Sequence, residues 1–220
     1  MQRIRPFMNT DLIKVFTGIR RAGKSVMLEL VKNELKESGI NEENFLCINF
    51  EQFSNSQFLD VESLYKKITD FQKNTKGKIY LFFDEIQEVD GWEKCINSCR
   101  IDFDCDIYIT GSNAKLLSGE LATYLAGRYV EFVIYPFSFA EFFEMNLIKN
   151  PNVDKATCFM QFLKTGGMPF LSNFPDDDSA KSQYLIDIYN SVVLKDVVKR
   201  NNIRDVDTLE RIVAYAFSNI

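Results

Sequence analysis

Residues Gly18-Ile19-Arg20-Arg21-Ala22-Gly23-Lys24-Ser25 match G-x-x-x-x-G-K-[ST] at every fixed position. The chemistry of that spacing is phosphate binding. The two glycines let backbone N–H groups curl around an anion, Lys24 reaches the β- and γ-phosphates, and the Ser25 hydroxyl offers a hard oxygen to Mg²⁺. The whole stretch from Gly18 to Val26 is therefore a candidate nucleoside-triphosphate cradle, through Gly18, Ile19, Arg20, Arg21, Ala22, Gly23, Lys24, Ser25 and Val26. Sixty residues after Lys24, the apolar run Ile79-Tyr80-Leu81-Phe82-Phe83 ends in Asp84-Glu85. Asp84 is a candidate Mg²⁺ ligand, acting through water. Glu85 is a candidate to polarise the water that attacks a γ-phosphate.

Three more positions belong to the same chemistry. Ile107-Tyr108-Ile109-Thr110 ends in Gly111-Ser112-Asn113. If that strand lies between the loop strand and the acidic strand, Thr110, Ser112 or Asn113 could bond the attacking water. The competing reading is a plain turn with a helix cap. Arg128 precedes the last strand. Three roles stay open for it: a cation for its own γ-phosphate, a cation for a neighbour's nucleotide, or a solvated side chain.

These residues need particular elements to position them. The run Ile13-Lys14-Val15-Phe16 reads as a short apolar strand feeding the loop. Ser25 to Ser38 reads as a helix with apolar Val26, Leu28, Leu30, Val31 and Leu35, stopped at Gly39. Strands are expected over Phe45–Phe50, Lys78–Phe83, Asp106–Thr110 and Tyr129–Ile134. Helices are expected from Asp60 to about Asn74, from Gly91 to about Ile101 and around Ala114 to Leu117. This alternation implies an α/β fold with a parallel sheet covered on both faces. After Pro136 the pattern turns helical: Ser138–Met145, Asp154–Lys164, Ala180–Arg200 and Val206–Asn219, with Gly166-Gly167-Met168-Pro169 as a turn. The run Asp176-Asp177-Asp178 reads as a helix entry, where carboxylates meet the N-terminal dipole.

Composition narrows the function. The 220 residues carry a net charge of −5, so no global basic field recruits nucleic acid. Lys195, Lys199, Arg200 and Arg204 cluster near the end but alternate with Asp196 and Asp205. There is no histidine, which excludes Ser-His-Asp and Cys-His catalysis and histidine-bound zinc. The five cysteines form no C-x-x-C pair and read as reduced thiols in a cytoplasmic protein. No apolar signal region or membrane-length run is present. The guanine-selecting N/T-K-x-D pattern is absent, which favours ATP. The segment Ile4-Arg5-Pro6-Phe7 is read either as a base contact or as plain structure.

Taken together, GIRRAGKS, IYLFFDE, IYITGSN, LAGRYVEF, YPFSFAEF and GGMP resemble a family of prokaryotic AAA+-like P-loop ATPases. The resemblance covers essentially the whole chain. It implies a three-layer P-loop fold with strand order 5-1-4-3-2, ATP and Mg²⁺ as cofactors and Asn113 on a γ-phosphate-reading strand, and its LAGRYVEF phrase holds Arg128, the candidate catalytic cation. It also implies an organisation of a core over 1–136, a helical lid over 137–200 and the start of a winged-helix-like element over 201–220. Family members usually continue into a restriction-endonuclease-like domain. The strongly apolar stretch from Leu209 to Phe217, with no stop signal before Ile220, fits a longer protein. The functions that follow are an ATP hydrolase, a nucleotide-dependent switch with little turnover, a nucleic-acid-handling module, or more weakly a small-molecule kinase. A homo-oligomer or a partner protein is a possible assembly. GG-x-P turns in related signal-transduction ATPases contact nucleotide, which extends to Gly167 and Pro169.

Overall fold

A computed structural model describes residues 1–111, 125, 127–174, 177–198, 203 and 205–219. The chain divides into two compact units, Met1–Tyr135 and Pro136–Ile220. The first holds strands β1 (Ile13–Thr17), β2 (Phe45–Asn49), β3 (Ile79–Asp84), β4 (Cys105–Thr110) and β5 (Tyr129–Val133). It also holds helices α1 (Lys24–Glu37), α2 (Val61–Asn74) and α3 (Trp92–Asp102). The second holds α4 (Phe139–Lys149), α5 (Lys155–Thr165), α6 (Asp178–Asn190) and α7 (Val206–Ser218).

The five strands form one parallel sheet in the order β2-β3-β4-β1-β5, which read from the other edge is the expected 5-1-4-3-2. Every residue of β1, β3 and β4 is buried. That is what a parallel sheet covered on both faces demands, and it explains the unbroken apolar runs. The strand period of two then sorts side chains between two cores. Ile79, Leu81 and Phe83 pack on one face with Leu64 and Ile68 of α2 and Ile96 and Cys99 of α3. Tyr80 and Phe82 pack on the other with Leu28, Val31 and Leu35 of α1.

Local sequence sets the helix ends. Asp60 caps α2 by accepting from Ser63 N at 2.8 Å. Helix α1 buries Leu28, Val31 and Leu35, a single face at helical spacing, and leaves Val26 62% and Leu30 45% exposed. The five apolar residues of this helix therefore do not form one stripe. Residues Arg5–Phe7 form a 3₁₀ turn. Ile4 is buried, and Phe7 meets the Phe132 ring edge-on at 5.7 Å, which gives this segment a structural job.

In the second unit, Ser138 and Glu141 form a complete capping box at the start of α4. Asp177 accepts from Ser179 N and Ala180 N, so the described part of the acidic run does open a helix. The expected long helix to Arg200 stops at Asn190. It continues as π-helical turns over Ser191–Val198, and Lys199 and Arg200 lie outside the described residues. Gly167 is held by a close backbone crossing. A Cβ there would lie 2.0 Å from Phe137 O, and Phe137 N donates to Gly167 O at 2.8 Å. Among the described residues, no helix is long and apolar enough to cross a membrane.

One core feature was not read from the sequence. Lys14, inside the apolar run of β1, is fully buried and donates to Asp106 of β4, itself fully buried. This pair sits near the N-terminal ends of the strands, the end of the sheet away from the glycine-rich loop.

Candidate functional site

The order of the strands brings the loop, Thr110 and the acidic pair to one edge. Strand β4 lies between β1 and β3, so the C-terminal ends of all three are neighbours. Residues Gly18 to Gly23 leave β1, turn and open α1. The turn depends on unusual backbone: Gly18 has φ +143°, Arg21 φ +64° and Gly23 φ +105°. Ala22 is buried and its N–H donates to Ile19 O at 3.3 Å, while Ile19 and Arg20 face outward. Ser25 and Val26 are exposed in the first turn of α1. This places a helix N-terminus, with its inward-pointing amides and positive dipole end, behind the loop.

Gly18 has a steric reason as well as a conformational one. A Cβ there would lie 2.2 Å from Ile134 O, because the chain after β5 runs against the loop and Ile134 N donates to Thr17 O at 2.7 Å. Backbone cannot yield as a flexible side chain would. Gly18→Ala is therefore expected to cost about 2 kcal/mol or more, lowering the thermal midpoint by roughly 4–8 °C. A midpoint within 1 °C of wild type, by calorimetry, would show that the loop moves away from β5 freely.

Lys24 is 5% exposed. Its ammonium donates to Gly18 O at 3.3 Å and Ile19 O at 3.4 Å, and lies 3.7 Å from Glu85 Oε1. The loop cation and the acidic strand end therefore share one small volume. Asp84 is buried. Its Oδ1 accepts from the Thr110 hydroxyl, and its Oδ2 accepts from Asn49 Nδ2 at 2.9 Å. The Thr110 hydroxyl in turn accepts from Glu85 N at 2.9 Å. Thr110 is fully buried and turned to the acidic pair, so it positions that pair and does not face outward to a water. Glu85 sits at φ +55° before a 3₁₀ turn over Ile86–Glu88, and its Oε2 accepts from Gln87 Nε2.

Asn49, Glu51 and Gln87 were missed in the sequence. Asn49 ends β2 in register with Asp84, so a polar residue closing an apolar strand was its available signal. The Glu51 carboxyl lies close enough to feel its neighbours. Partial burial first, then the charge on Glu85, push it above the usual carboxylate range, with Arg20 opposing. Ser112 and Asn113 fall outside the described residues, as does the segment Ala114 to Leu117.

Arg128 is not brought to this edge. The register pairs Ile13 with Tyr129 and Thr17 with Val133, and Arg128 O accepts from Ile13 N at 2.9 Å. Arg128 therefore precedes β5 at the sheet end where β1 begins. Four residue steps of strand, about 13 Å, separate that level from the loop. Its guanidinium donates to Asn97 Oδ1 on α3 at 3.0 Å. The own-phosphate role left open in the sequence does not fit this register.

A protein-family model described as an AAA domain matches residues 10–143. An uncharacterized protein of Haemophilus influenzae is 40% identical over 222 residues, covering all of this chain and 54% of its own length. An uncharacterized protein of Methanocaldococcus jannaschii is 35% identical, covering 94% of this chain and 47% of its own length. The chain thus spans about half the length of these relatives. Among solved structures, AMPPCP-bound DnaA from Aquifex aeolicus has a TM-score of 0.54 at 15% identity, covering 97% of this chain and 66% of its own. PCH-2 of C. elegans has a TM-score of 0.51 at 13% identity, covering 83% of this chain and 62% of its own. These likenesses extend to the fold. The family match spans more than half of the chain, and it shows that this protein belongs to the AAA domain family, whose members are ATPase-like nucleotide-binding modules.

Proposed function

We propose that this domain binds ATP with Mg²⁺ at the Gly18–Val26 loop and hydrolyses it to ADP and phosphate. The observation that carries the reading is the convergence of Lys24, Asp84 and Glu85 at one sheet edge, with Thr110 tying the two acids and Glu85 reaching Lys24. In this reading the loop amides and the α1 N-terminus cradle the phosphates, and Lys24 exchanges its carbonyl and Glu85 contacts for phosphate oxygens. Glu85 accepts a proton from water as that water attacks the γ-phosphate. Asp84 and Ser25 suit a hard cation that takes few protein oxygens and completes its shell with phosphate and water. The ion supplies charge neutralisation on the phosphates.

The test is phosphate release by the full-length protein with saturating MgATP, compared with Lys24→Ala. Turnover confined to the wild type is expected. If neither the purified protein nor its assemblies release phosphate above the Lys24→Ala level, the hydrolase reading fails. One observation favours a second reading, a nucleotide switch with little turnover. The loop cation and the base lie within 3.7 Å of each other, so nucleotide entry must first separate them. Tight ATP retention with near-zero single-turnover hydrolysis would favour the switch. A nucleic-acid role rests on Lys195, Lys199, Arg200 and Arg204. Of these, Lys199, Arg200, Arg204 and the Lys195 side chain lie outside the described residues. A salt-dependent DNA titration tests it.

For Arg128 the reading is action on a neighbour's nucleotide within a homo-oligomer. Arg128→Ala and Lys24→Ala are each expected to be nearly inactive. Mixing them should restore part of the activity, since a site with intact Lys24 then receives Arg128 from the other copy. A mixture no more active than its parts would remove the trans role. The helical unit would act as a lid over residues 137–200, with residues 201–220 beginning a further element. Relatives are about twice as long, and the restriction-endonuclease-like domain of the resemblance would be the output of the cycle. We place the protein in the cytoplasm.

A further inference from the structure

We propose that Gln87 is a positioning residue for Glu85, holding that carboxylate in the orientation from which it takes a proton from water. The inference rests on the hydrolase reading and deepens it. Residues two apart do not normally face one another in a helix. Here the left-handed backbone of Glu85 and the tight 3₁₀ turn that follows fold the Gln87 amide back over the Glu85 side chain. Gln87 Nε2 donates to Glu85 Oε2 at 2.5 Å, while the other carboxylate oxygen, Oε1, faces Lys24. The carboxylate is thus pinned on both oxygens. If Lys24 turns to phosphate when nucleotide binds, Gln87 becomes the remaining side-chain donor to Glu85 among the described residues.

The other end of the amide shows what this arrangement costs. Gln87 Oε1 is shut away from solvent and accepts no hydrogen bond from the described residues. Reversing the amide would not help, because its oxygen would then press against the carboxylate. An unpaired buried acceptor is unfavourable, and a thioether of similar length would fill the space without it. A residue selected for packing alone has no reason to be glutamine. A residue selected to donate to Glu85 does.

The test combines Gln87→Met with Glu85→Gln in the full-length protein, using MgATP turnover, ATP affinity and thermal midpoint. Gln87→Met is expected to lower kcat about 10- to 100-fold, the worth of one hydrogen bond to a charged group. KM should change less than about threefold, and the midpoint should stay within roughly 3 °C of wild type. In the Glu85→Gln background the same substitution should have no further effect, because a residue that acts only through Glu85 has nothing left to position. Gln87→Met with wild-type kcat overturns the proposal, as does an equal fold-loss in both backgrounds or a matching loss of ATP affinity. A wild type that releases no phosphate overturns the hydrolase reading and this inference with it. A turning-over wild type with an unaffected Gln87→Met overturns this inference alone.

Discussion

Glu85→Gln is expected to reduce ATP turnover by roughly 10²- to 10⁴-fold while leaving ATP bound as tightly as in wild type, or more tightly. The substitution keeps size and hydrogen-bonding capacity but removes the ability to take a proton. It also removes the negative charge 3.7 Å from Lys24. In the free protein that charge holds the ammonium on the acidic strand, in competition with an incoming phosphate. The variant therefore loses the chemical step and gains a freer Lys24. Neither Thr110 nor Asp84 is disturbed, since the Glu85 contact to Thr110 is through backbone N–H. Equilibrium binding of a fluorescent ATP analogue, paired with single-turnover hydrolysis, separates the two effects. Wild-type turnover in Glu85→Gln would remove Glu85 as the base. A proportional loss of binding would show that the carboxylate holds the loop together instead.

The parts of this site that were legible in the sequence are those where spacing alone imposes geometry. G-x-x-x-x-G-K-S requires positive φ at its glycines, and the chain supplies it at Gly18 and Gly23. Strands β1, β3 and β4 were visible because burial on both faces leaves continuous apolar runs. What stayed hidden depends on register and on irregular backbone. The place of Arg128 needed two readings put together: it precedes a strand parallel to β1, whereas the loop follows β1, and the pairing of Ile13 with Tyr129 fixes that level. The Gln87 contact depends on φ +55° at Glu85, a conformation that no residue type there announces. Lys14 was passed over inside an apolar run because a lysine in a buried strand is improbable unless a partner exists. That partner, Asp106, is 92 residues away in sequence.

That buried pair carries the largest stability effect expected of a single side chain here. Asp106→Ala should cost about 3–5 kcal/mol, because it leaves the Lys14 ammonium in the core with no counter-charge. The network around it is complete as it stands. Lys14 Nζ also donates to Thr10 O at 3.0 Å and Leu12 O at 2.7 Å. Asp106 Oδ2 accepts from Asn9 N and from the Tyr108 hydroxyl, both at 2.7 Å, and the Asn9 side chain accepts from the Tyr80 hydroxyl at 2.7 Å. Removing Asp106 therefore strands a charge and two donors together. Lys14→Met should cost less, since Asp106 keeps its Asn9 and Tyr108 donors. The double variant Lys14→Met/Asp106→Leu should cost less than the sum of the singles, because the stranded charge is gone. The sign of the pH dependence follows from the same balance. Burial pulls Lys14 below the usual lysine range, and Asp106 partly restores it. Between the folded and unfolded lysine pKa the unfolded chain binds more protons, so stability rises with pH there and is lost as pH falls through the folded value. Without Asp106 that window widens downward. Asp106→Ala should thus recover part of its loss as pH is raised from neutrality toward the ordinary lysine range, while Lys14→Met should not. Urea titrations across that range decide it, and equal slopes for the two variants would mean that Lys14 holds its proton as firmly in the folded core without Asp106 as in the unfolded chain.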